Sequence, residues 1–331
     1  MNMQNKKKAL LVMAATNDYM FSVGNVLLGI KKYSPNVFDD ILIFTDEKIS
    51  ENNLNALRQI FSNIMIEIYD FQIPNLDDRR RLSYYSNMPY SRFEMLKYLD
   101  IYEKVVWFDS DFLIQGDISG LLEYGRTGIS MSLDLDPYPT THNIKPFFVK
   151  DIDGYSMNTT AYASGLIIFS DKLKEPLLLR EYLYKQLDRY SSYIKYAEQG
   201  ILQLMIEDFG LKVDVFPKLI YHAFPFEDMT KAKIIHLLGD YKPWKTYLGS
   251  AFDEWYDNHI QWIELGGEEA STFASLLNTN KTNFHTIQEL FTARANYKYF
   301  NGSKRYQNLL FFNSFYNNKV NTIEKVAISE K

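Results

Sequence analysis

The feature that most constrains the fold is the alternation of short apolar runs with helix-like segments over the first seventy residues. Apolar runs at 10–14, 41–45 and 64–69 have the length and composition of buried strands. Helix-like segments separate them, one at about 21–33 and one after Ser50, which is a candidate N-cap. Short connections of this kind form βαβ units. We therefore predict an α/β fold with a mostly parallel, Rossmann-like sheet flanked by helices.

Two aspartates, Asp109 and Asp111, stand one residue apart inside the apolar run at 105–114, which has the composition of a buried strand. Buried carboxylates are costly unless they are paired or bind a metal. If the segment stays extended, both side chains point the same way, with Cα atoms roughly 6.5–7 Å apart. Oxygen ligands so arranged suit Mg²⁺ or Mn²⁺. The same pattern at Asp134 and Asp136 illustrates the alternative, a solvated turn after a strand.

Basic and imidazole side chains elsewhere could complete such a site. Arg92 lies in a predicted helix at about 88–99, where it could hold a phosphate, balance the carboxylates or lie on the surface. His236 ends an apolar run and is either a core residue or a metal ligand, since a neutral imidazole binds Mn²⁺ well. Gly239 would let the backbone approach a phosphate, and Lys242 would bring a point charge to a diphosphate. The remaining histidines are assigned no role: His142, His222, His259 and His285.

The composition excludes several classes of protein. The chain has 331 residues, a formal net charge of -5 and no cysteine, which rules out a disulfide scaffold and thiolate chemistry and fits a reducing compartment. Mild acidity argues against nucleic acid as a partner. The apolar run after Lys6, Lys7 and Lys8 is short for a signal peptide and ends at Thr16. No run approaches the roughly 20 apolar residues of a membrane span. We expect a cytoplasmic protein.

Three segments together resemble the centre of glycosyltransferase family 8. They are Tyr90-Ser91-Arg92-Phe93, the run at 105–111 that contains D-x-D, and the stretch at 236–244, which agrees with the family's H-x-x-G-x-x-K-P-W. The family comprises retaining enzymes with the GT-A fold, among them bacterial lipopolysaccharide galactosyl- and glucosyltransferases and glycogenin. The resemblance covers about 8–245 and implies that Asp109, Asp111 and His236 hold Mn²⁺ or Mg²⁺.

Four further segments are similar to family motifs. Residues 14–19 resemble the uridine-binding loop A-A-D-x-N-Y, 131–134 the strand whose aspartate approaches the donor sugar, 162–169 the F-N-A-G strand and 196–202 the motif x-D-Q-D-x-L-N. Thr16, Asp18, Ala163 and Gly200 replace polar or acidic family residues. The resemblance implies catalytic roles for Gln199 and Glu198. It also implies donor contacts from Ala14, Thr16, Asp18, Tyr19, Arg92, Ser110, Asp134, Ser164, Gly239 and Lys242.

The function that the resemblance implies is metal-dependent, retaining transfer of a hexose from a UDP-sugar, with glucose or galactose favoured. The acceptor would be a saccharide, a lipid-linked saccharide or a glycoprotein, in the synthesis of bacterial surface glycans such as lipopolysaccharide or capsule. Two alternatives stay open, a glycoside hydrolase and a non-catalytic carbohydrate-binding protein. A hydrolase needs two carboxyl groups about 5–9.5 Å apart across the sugar, which adjacent acids on one strand do not provide.

The C-terminal part lacks the family motifs. We predict a catalytic, nucleotide-sugar-binding domain at 1–250 and a helical extension at 251–331, with helices at about 253–265 and 270–277. Residues 294–319 carry five basic side chains and no acidic one among eight aromatic residues. This composition suits the anionic inner face of a membrane, where the extension could contact acceptor. It equally suits a helix that packs its aromatic side chains on the core.

Overall fold

The computed structural model describes residues 6–71, 86–134, 143–225, 227, 229–238, 242–244 and 252–270. Residues 6–71 contain the predicted alternation of strands and helices, in the order β1 (Lys7–Ala14), α1 (Met20–Tyr33), β2 (Asp40–Thr45), α2 (Glu51–Ile60) and β3 (Ile64–Ile68). The hydroxyl of Ser50 accepts a hydrogen bond from the Asn53 N–H, so the predicted N-cap of α2 is confirmed.

The remaining described residues add six strands, four α-helices and a long 3₁₀ helix. In chain order these are the 3₁₀ helix Met88–Asp100, β4 (Tyr102–Phe108), β5 (Phe112–Ile114), β6 (Ile129–Leu133), β7 (Tyr162–Ser170), α3 (Pro176–Tyr190), α4 (Gln199–Asp208), β8 (Val213–Val215), α5 (Lys218–Tyr221), β9 (Ile234–His236) and α6 (Asp253–Glu264). Short 3₁₀ turns lie at Asn17–Tyr19, Ser119–Glu123, Lys145–Phe147 and Ser191–Tyr193.

Seven strands form the main sheet in the order β3-β2-β1-β4-β7-β6-β8. Only β7 runs antiparallel to its neighbours β4 and β6, and every other pair in this sheet is parallel. The strands β5 and β9 form a separate antiparallel pair. The predicted mostly parallel α/β fold is confirmed.

Helices cover both faces of the sheet because its central strands are apolar on both sides. In β1, Leu11 and Met13 belong to the core under α1, α2 and α6. Leu10 and Val12 belong to the core under the long 3₁₀ helix, α3 and α4. A strand buried on both faces has a continuous apolar sequence, which is what the chain shows at this position.

The prediction that 105–114 forms one extended strand is wrong. The strand β4 ends at Phe108, the chain turns at Ser110 and Asp111, and β5 starts at Phe112 in the other sheet. The cause lies in the partners, since β4 pairs with β7 whereas β5 pairs with β9. The two aspartates therefore lie where the chain leaves one sheet for the other.

The helix α6 packs against α1 through buried tryptophans. A Cβ placed on Gly24 would lie 2.2 Å from the Trp262 ring, so only glycine allows this approach. The helix at 253–265 is thus confirmed, and the domain boundary at 250 stays a prediction. The segment 271–331 lies outside the described residues, and with it the predicted helix at 270–277 beyond its first residue and the basic, aromatic stretch at 294–319. Within the described ranges, no helix is long and apolar enough to cross a membrane.

We expect the stability of the metal-free protein to fall between pH 6.5 and pH 4 because of His259. This side chain is fully buried, it stacks on Trp255 with ring centroids 4.9 Å apart, and burial lowers its pKa to about 4. In the unfolded chain this histidine binds a proton near pH 6.5, whereas in the folded protein it stays neutral down to about pH 4. Stability is therefore lost as the pH falls through this range. The slope is about 1.4 kcal/mol per pH unit, up to about 3 kcal/mol in all.

Urea unfolding at several pH values measures this slope. The variant His259→Phe keeps an aromatic ring against Trp255 and removes the titrating nitrogen. Its free energy of unfolding should therefore fall less steeply with decreasing pH, by the slope that one proton contributes. Equal slopes in the two proteins would contradict the prediction.

Candidate metal and donor site

Three potential metal ligands converge at the ends of β4 and β9. The Nε2 atom of His236 lies 3.1 Å from Asp111 Oδ1 and 3.7 Å from Asp109 Oδ2. One ligand atom from each of the three residues lies within 4.8 Å of the others. The pairing of β5 with β9 produces this arrangement, because Phe112 is opposite His236 and the Leu237 N–H donates to the Asp111 carbonyl at 2.9 Å.

The Asp109 carboxylate is oriented by two donors on one of its oxygens. Its Oδ1 atom accepts hydrogen bonds from Trp107 Nε1 and from Arg92 Nη2, each at 2.7 Å. The other oxygen, Oδ2, is the one nearer His236. Trp107 and Asp109 are two residues apart at the end of a strand, so their side chains lie on the same side of it.

A second histidine, His222, supports His236 from behind. Its Nε2 atom lies 2.9 Å from His236 Nδ1, and its Nδ1 atom lies 2.8 Å from Ser132 Oγ. Burial lowers the pKa of His222 well below the usual value, so the ring is neutral. His222 has no role predicted from the sequence, and the structure brings its ring into contact with that of His236. The sequence holds no local signal for it, because the contact requires Ala223 to bridge Ile235 of β9.

Lys242 closes the site on the side of Asp111. Its ammonium group donates to Asp111 Oδ2 and to the Leu237 carbonyl, both at 2.5 Å. Although burial alone would raise the pKa of Asp111, the charge of Lys242 and the hydrogen bond from His236 hold it well below the usual range. Asp111 is therefore a carboxylate at neutral pH, as metal ligation requires.

Arg92 is buried and links two acidic residues. Its side chain is 4% exposed, its Nη1 atom donates to Glu198 and to the Ser164 carbonyl, and its guanidinium lies over the Trp107 ring at 4.5 Å. The surface alternative for Arg92 is therefore wrong, and it balances carboxylates instead. Burial raises the pKa of Glu198 above its usual value, although the positive charge of Arg92 acts in the opposite direction.

An irregularity in β7 makes room for these side chains. The register with β6 passes from the pair Met131–Ile167 to the pair Ser132–Ala163, so 164–166 have no partner on β6. In this gap the Gly165 carbonyl accepts from the Asp109 N–H at 2.9 Å. A Cβ on Gly165 would lie 2.7 Å from His222 Nε2, 2.8 Å from His236 Cε1 and 3.0 Å from Asp109 Oδ2. Glycine is needed here because three site residues approach its backbone.

We expect Gly165→Ala to lower any metal-dependent turnover about 100-fold, because displacements near 1 Å at a reacting site have effects of that size. The added methyl group must push apart His222, His236 and Asp109. Steady-state kinetics, with circular dichroism to check the fold, would measure the loss. Gly116→Ala is the matched control, since the atom nearest to its Cβ would be Lys233 Cγ, at 3.2 Å, in the flexible side chain of a residue outside the site. Equal activities of the two variants would contradict the prediction.

The other predicted site residues lie mostly at the same edge of the sheet. Ala14 ends β1, Asp134 follows β6, and Ser110 lies in the turn after β4, so these positions share the carboxyl edge of parallel strands, where ligands bind in such sheets. Tyr19 is 37% exposed and meets the ring of Trp244 edge-on at 6.3 Å. Thr16 donates to Asp18 Oδ1 at 2.5 Å. Gly239 lies outside the described residues. The donor contacts of all these residues stay predictions.

Gln199 and Gly200 begin α4 next to Glu198. The Gln199 Nε2 atom donates to the Tyr162 carbonyl at 3.0 Å, which fixes the carboxamide at the start of β7. A Cβ on Gly200 would lie 2.8 Å from the ring of Phe148. This aromatic ring occupies the space beside Gly200, which explains why no acidic residue stands there.

The residues at this site fit a divalent cation. His236 offers Nε2 because Nδ1 is engaged by His222, and Asp109 offers Oδ2 because Oδ1 is engaged by Trp107 and Arg92. Second-layer partners of this kind orient metal ligands in proteins. Two carboxylates with one imidazole suit Mn²⁺ and related first-row ions. The predicted ligand set is thus brought together, and the identity of the ion stays a prediction.

Comparisons with known proteins agree with this architecture. The model of Glycosyl transferase family 8 matches residues 10–247. The structure is similar to the bifunctional glycosyltransferase WbbM, at 18% identity and a TM-score of 0.55, over 80% of this chain and 52% of that one. It is similar to galactosyltransferase LgtC with bound donor and acceptor sugar analogues, at 16% identity and a TM-score of 0.54, over 83% of this chain and 99% of that one.

A third similar structure is glycosyltransferase GlyE of Streptococcus pneumoniae TIGR4, at 14% identity and a TM-score of 0.52, over 79% of this chain and 62% of that one. The chain thus spans about half the length of WbbM and nearly all of LgtC. No curated protein matches it. At these identities the structural likeness establishes the GT-A-like fold, and the family match rests on the sequence.

Proposed function

Because this chain belongs to glycosyltransferase family 8, we propose that it transfers a hexose, glucose or galactose, from a UDP-sugar to a saccharide, lipid-linked saccharide or glycoprotein acceptor. The transfer depends on Mn²⁺ or Mg²⁺ and retains the anomeric configuration. Synthesis of bacterial surface glycans is the role that fits such acceptors.

One observation supports this proposal above the others, the convergence of Asp109, Asp111 and His236. Their ligand atoms lie within 4.8 Å of one another although the residues come from strands more than 100 positions apart. A divalent ion held there supplies Lewis-acid stabilisation of the charge that develops on the departing diphosphate.

Lys242 adds a second positive charge beside these ligands. Its ammonium has three N–H donors, so it can keep its bonds to Asp111 and Leu237 and still donate to a phosphate oxygen. Such a fixed charge stabilises the transition state more than the ground state, since negative charge grows on the leaving phosphate as the sugar departs.

Gln199 and Glu198 would act on the sugar, on the other side of the bond that breaks. The Gln199 carboxamide, held by the Tyr162 carbonyl, would direct its dipole at the positive charge that develops on the sugar ring. Glu198 would hold the sugar from its buried position beside Arg92. The acceptor hydroxyl attacks from the face that UDP leaves, and the leaving phosphate accepts its proton, which accounts for retention.

The two alternative functions have less support. A hydrolase would use two carboxyl groups on opposite sides of the sugar, whereas the carboxylates of Asp109 and Asp111 both lie close to Nε2 of His236. A carbohydrate-binding protein would have no use for a carboxylate, imidazole and ammonium group gathered at one point. The family match also favours a transferase over both.

The direct test is a set of UDP-sugars incubated with the protein and Mn²⁺, with release of UDP measured without acceptor. We expect release from one or two of the sugars and none after chelation by EDTA. Release that EDTA leaves unchanged would contradict the metal-dependent mechanism, and no release from any sugar, with or without an added disaccharide, would contradict the choice of donor class.

A further inference from the structure

The His222 side chain is the most enclosed polar group next to the proposed metal ligands. It is 1% exposed, and its ring stacks on that of His236 with centroids 4.9 Å apart and an angle of 27°. The rings of Phe112 and Phe224 flank it at 5.7 Å and 5.4 Å. Backbone at Gly165 closes a further side. A ring packed on so many sides has little room to move.

We propose that His222 is a positioning residue, which holds His236 by its Nδ1 atom so that Nε2 faces Asp109 and Asp111, and that Ser132 anchors His222 in turn. This inference rests on the proposed function in one respect, that a divalent ion binds at these three residues. His222 and Ser132 thereby gain a role although neither is one of the proposed metal ligands.

The hydrogen-bond chain fits this role in both states of the site. An imidazole that binds a metal through Nε2 carries its proton on Nδ1, so His236 would donate to His222 Nε2 across the observed 2.9 Å. A neutral His222 then carries its own proton on Nδ1 and donates to Ser132 Oγ, 2.8 Å away. One arrangement of protons satisfies every nitrogen.

Without an ion, the same chain can run in the opposite direction. The Ser132 hydroxyl then donates to His222 Nδ1, His222 Nε2–H donates to His236 Nδ1, and His236 Nε2–H donates to Asp111 Oδ1, 3.1 Å away. Both arrangements hold the same number of protons on the three residues. The His236 ring is therefore kept in place before the ion arrives, and binding requires no movement of the ring.

The sheet is irregular next to His222, where the register between β6 and β7 shifts. Ser132 is the first β6 residue after the shift in register with β7, and its side chain is fully buried. Irregularities of this kind redirect side chains near functional sites. The gap opposite 164–166 is the space that the His222 ring enters, next to Gly165.

Two amide variants of similar size separate positioning from packing. In His222→Gln the carboxamide reaches about as far as Nε2 and can still bind His236 Nδ1. In His222→Asn it reaches only about as far as Nδ1 and can bind Ser132 alone. The dissociation constant of Mn²⁺ is measured by electron paramagnetic resonance of the free ion, with and without UDP, and thermal unfolding of the metal-free proteins checks the fold.

We expect His222→Asn to raise the Mn²⁺ dissociation constant about 10- to 100-fold, the usual effect of losing an outer partner of a metal ligand, and His222→Gln to restore most of the affinity. Equal dissociation constants for wild type and His222→Asn would overturn the inference while leaving the proposed function intact. Wild-type protein that binds no Mn²⁺, even with UDP, would overturn both. If neither His222 variant folds, Ser132→Ala provides the test, with at least about a threefold rise expected and an unchanged constant as the contrary result.

Discussion

Replacing Asp111 by asparagine is expected to lower metal-dependent sugar transfer by at least about 1,000-fold, equivalent to about 4 kcal/mol of transition-state stabilisation. The substitution keeps the size of the side chain and removes the charge that His236 and Lys242 surround. A neutral amide oxygen is a poor ligand beside a single remaining carboxylate. Lys242 also loses its anionic partner and so the position that brings it to the diphosphate.

Steady-state kinetics with a UDP-sugar and Mn²⁺ would measure this loss, and the dissociation constant of Mn²⁺ would attribute it to the site. The matched control is Asp214→Asn. Asp214 also pairs with a cation, Arg126, at 2.7 Å, and this pair likewise lowers the pKa of the carboxyl, but it lies on β8 at the far edge of the sheet. We expect the control to keep full activity. Turnover of Asp111→Asn above a tenth of wild type would remove the metal assignment.

The fold was accessible from the sequence because its signals are local, whereas the ligand set was implied by the resemblance of the D-x-D and H-x-x-G-x-x-K-P-W segments to the family. Buried parallel strands are apolar on both faces, so β1 and β2 stand out from their surroundings in the sequence. The aspartates and His236 each follow an apolar run, but the family motifs around them were needed to distinguish metal ligands from a solvated turn and a core histidine. The hydrogen bond of Trp107 to Asp109 was also open to prediction, since residues two apart on a strand share a side.

What the sequence left open depends on pairings between distant segments. The turn at Ser110 replaces an extended strand because β5 pairs with β9, which lies more than 100 residues further along the chain. The role of His222 depends on the same pair of strands and on the shifted register of β6. Whether Arg92 lies inside or outside could not be read from the residue itself, since burial of a guanidinium is decided by whether acidic partners arrive from elsewhere.

The burial of Arg92 leads to the second large effect, on stability. We expect Arg92→Met to destabilise the metal-free protein by about 3–5 kcal/mol, because removing one member of a buried ion pair leaves the other charge unpaired. The charge left behind is Glu198, whose side chain is 3% exposed. Asp109 loses one of its two donors and keeps Trp107. The free energy of unfolding in urea, measured with EDTA present, would give the cost.

A double-mutant cycle with Glu198→Gln decides whether the unpaired charge is the cause. If it is, Arg92→Met with Glu198→Gln should be more stable than Arg92→Met alone, since the second change removes the stranded carboxylate. Arg180→Met is the comparison for an ion pair nearer the surface: Arg180 is 29% exposed, and its partner Glu94 keeps Lys97, so we expect a cost of at most about 1 kcal/mol. A double variant no more stable than Arg92→Met alone would mean that the unpaired Glu198 charge is not the cause of the loss. Arg92 would then stabilise the protein through its packing on Trp107 and its hydrogen bond to the Ser164 carbonyl.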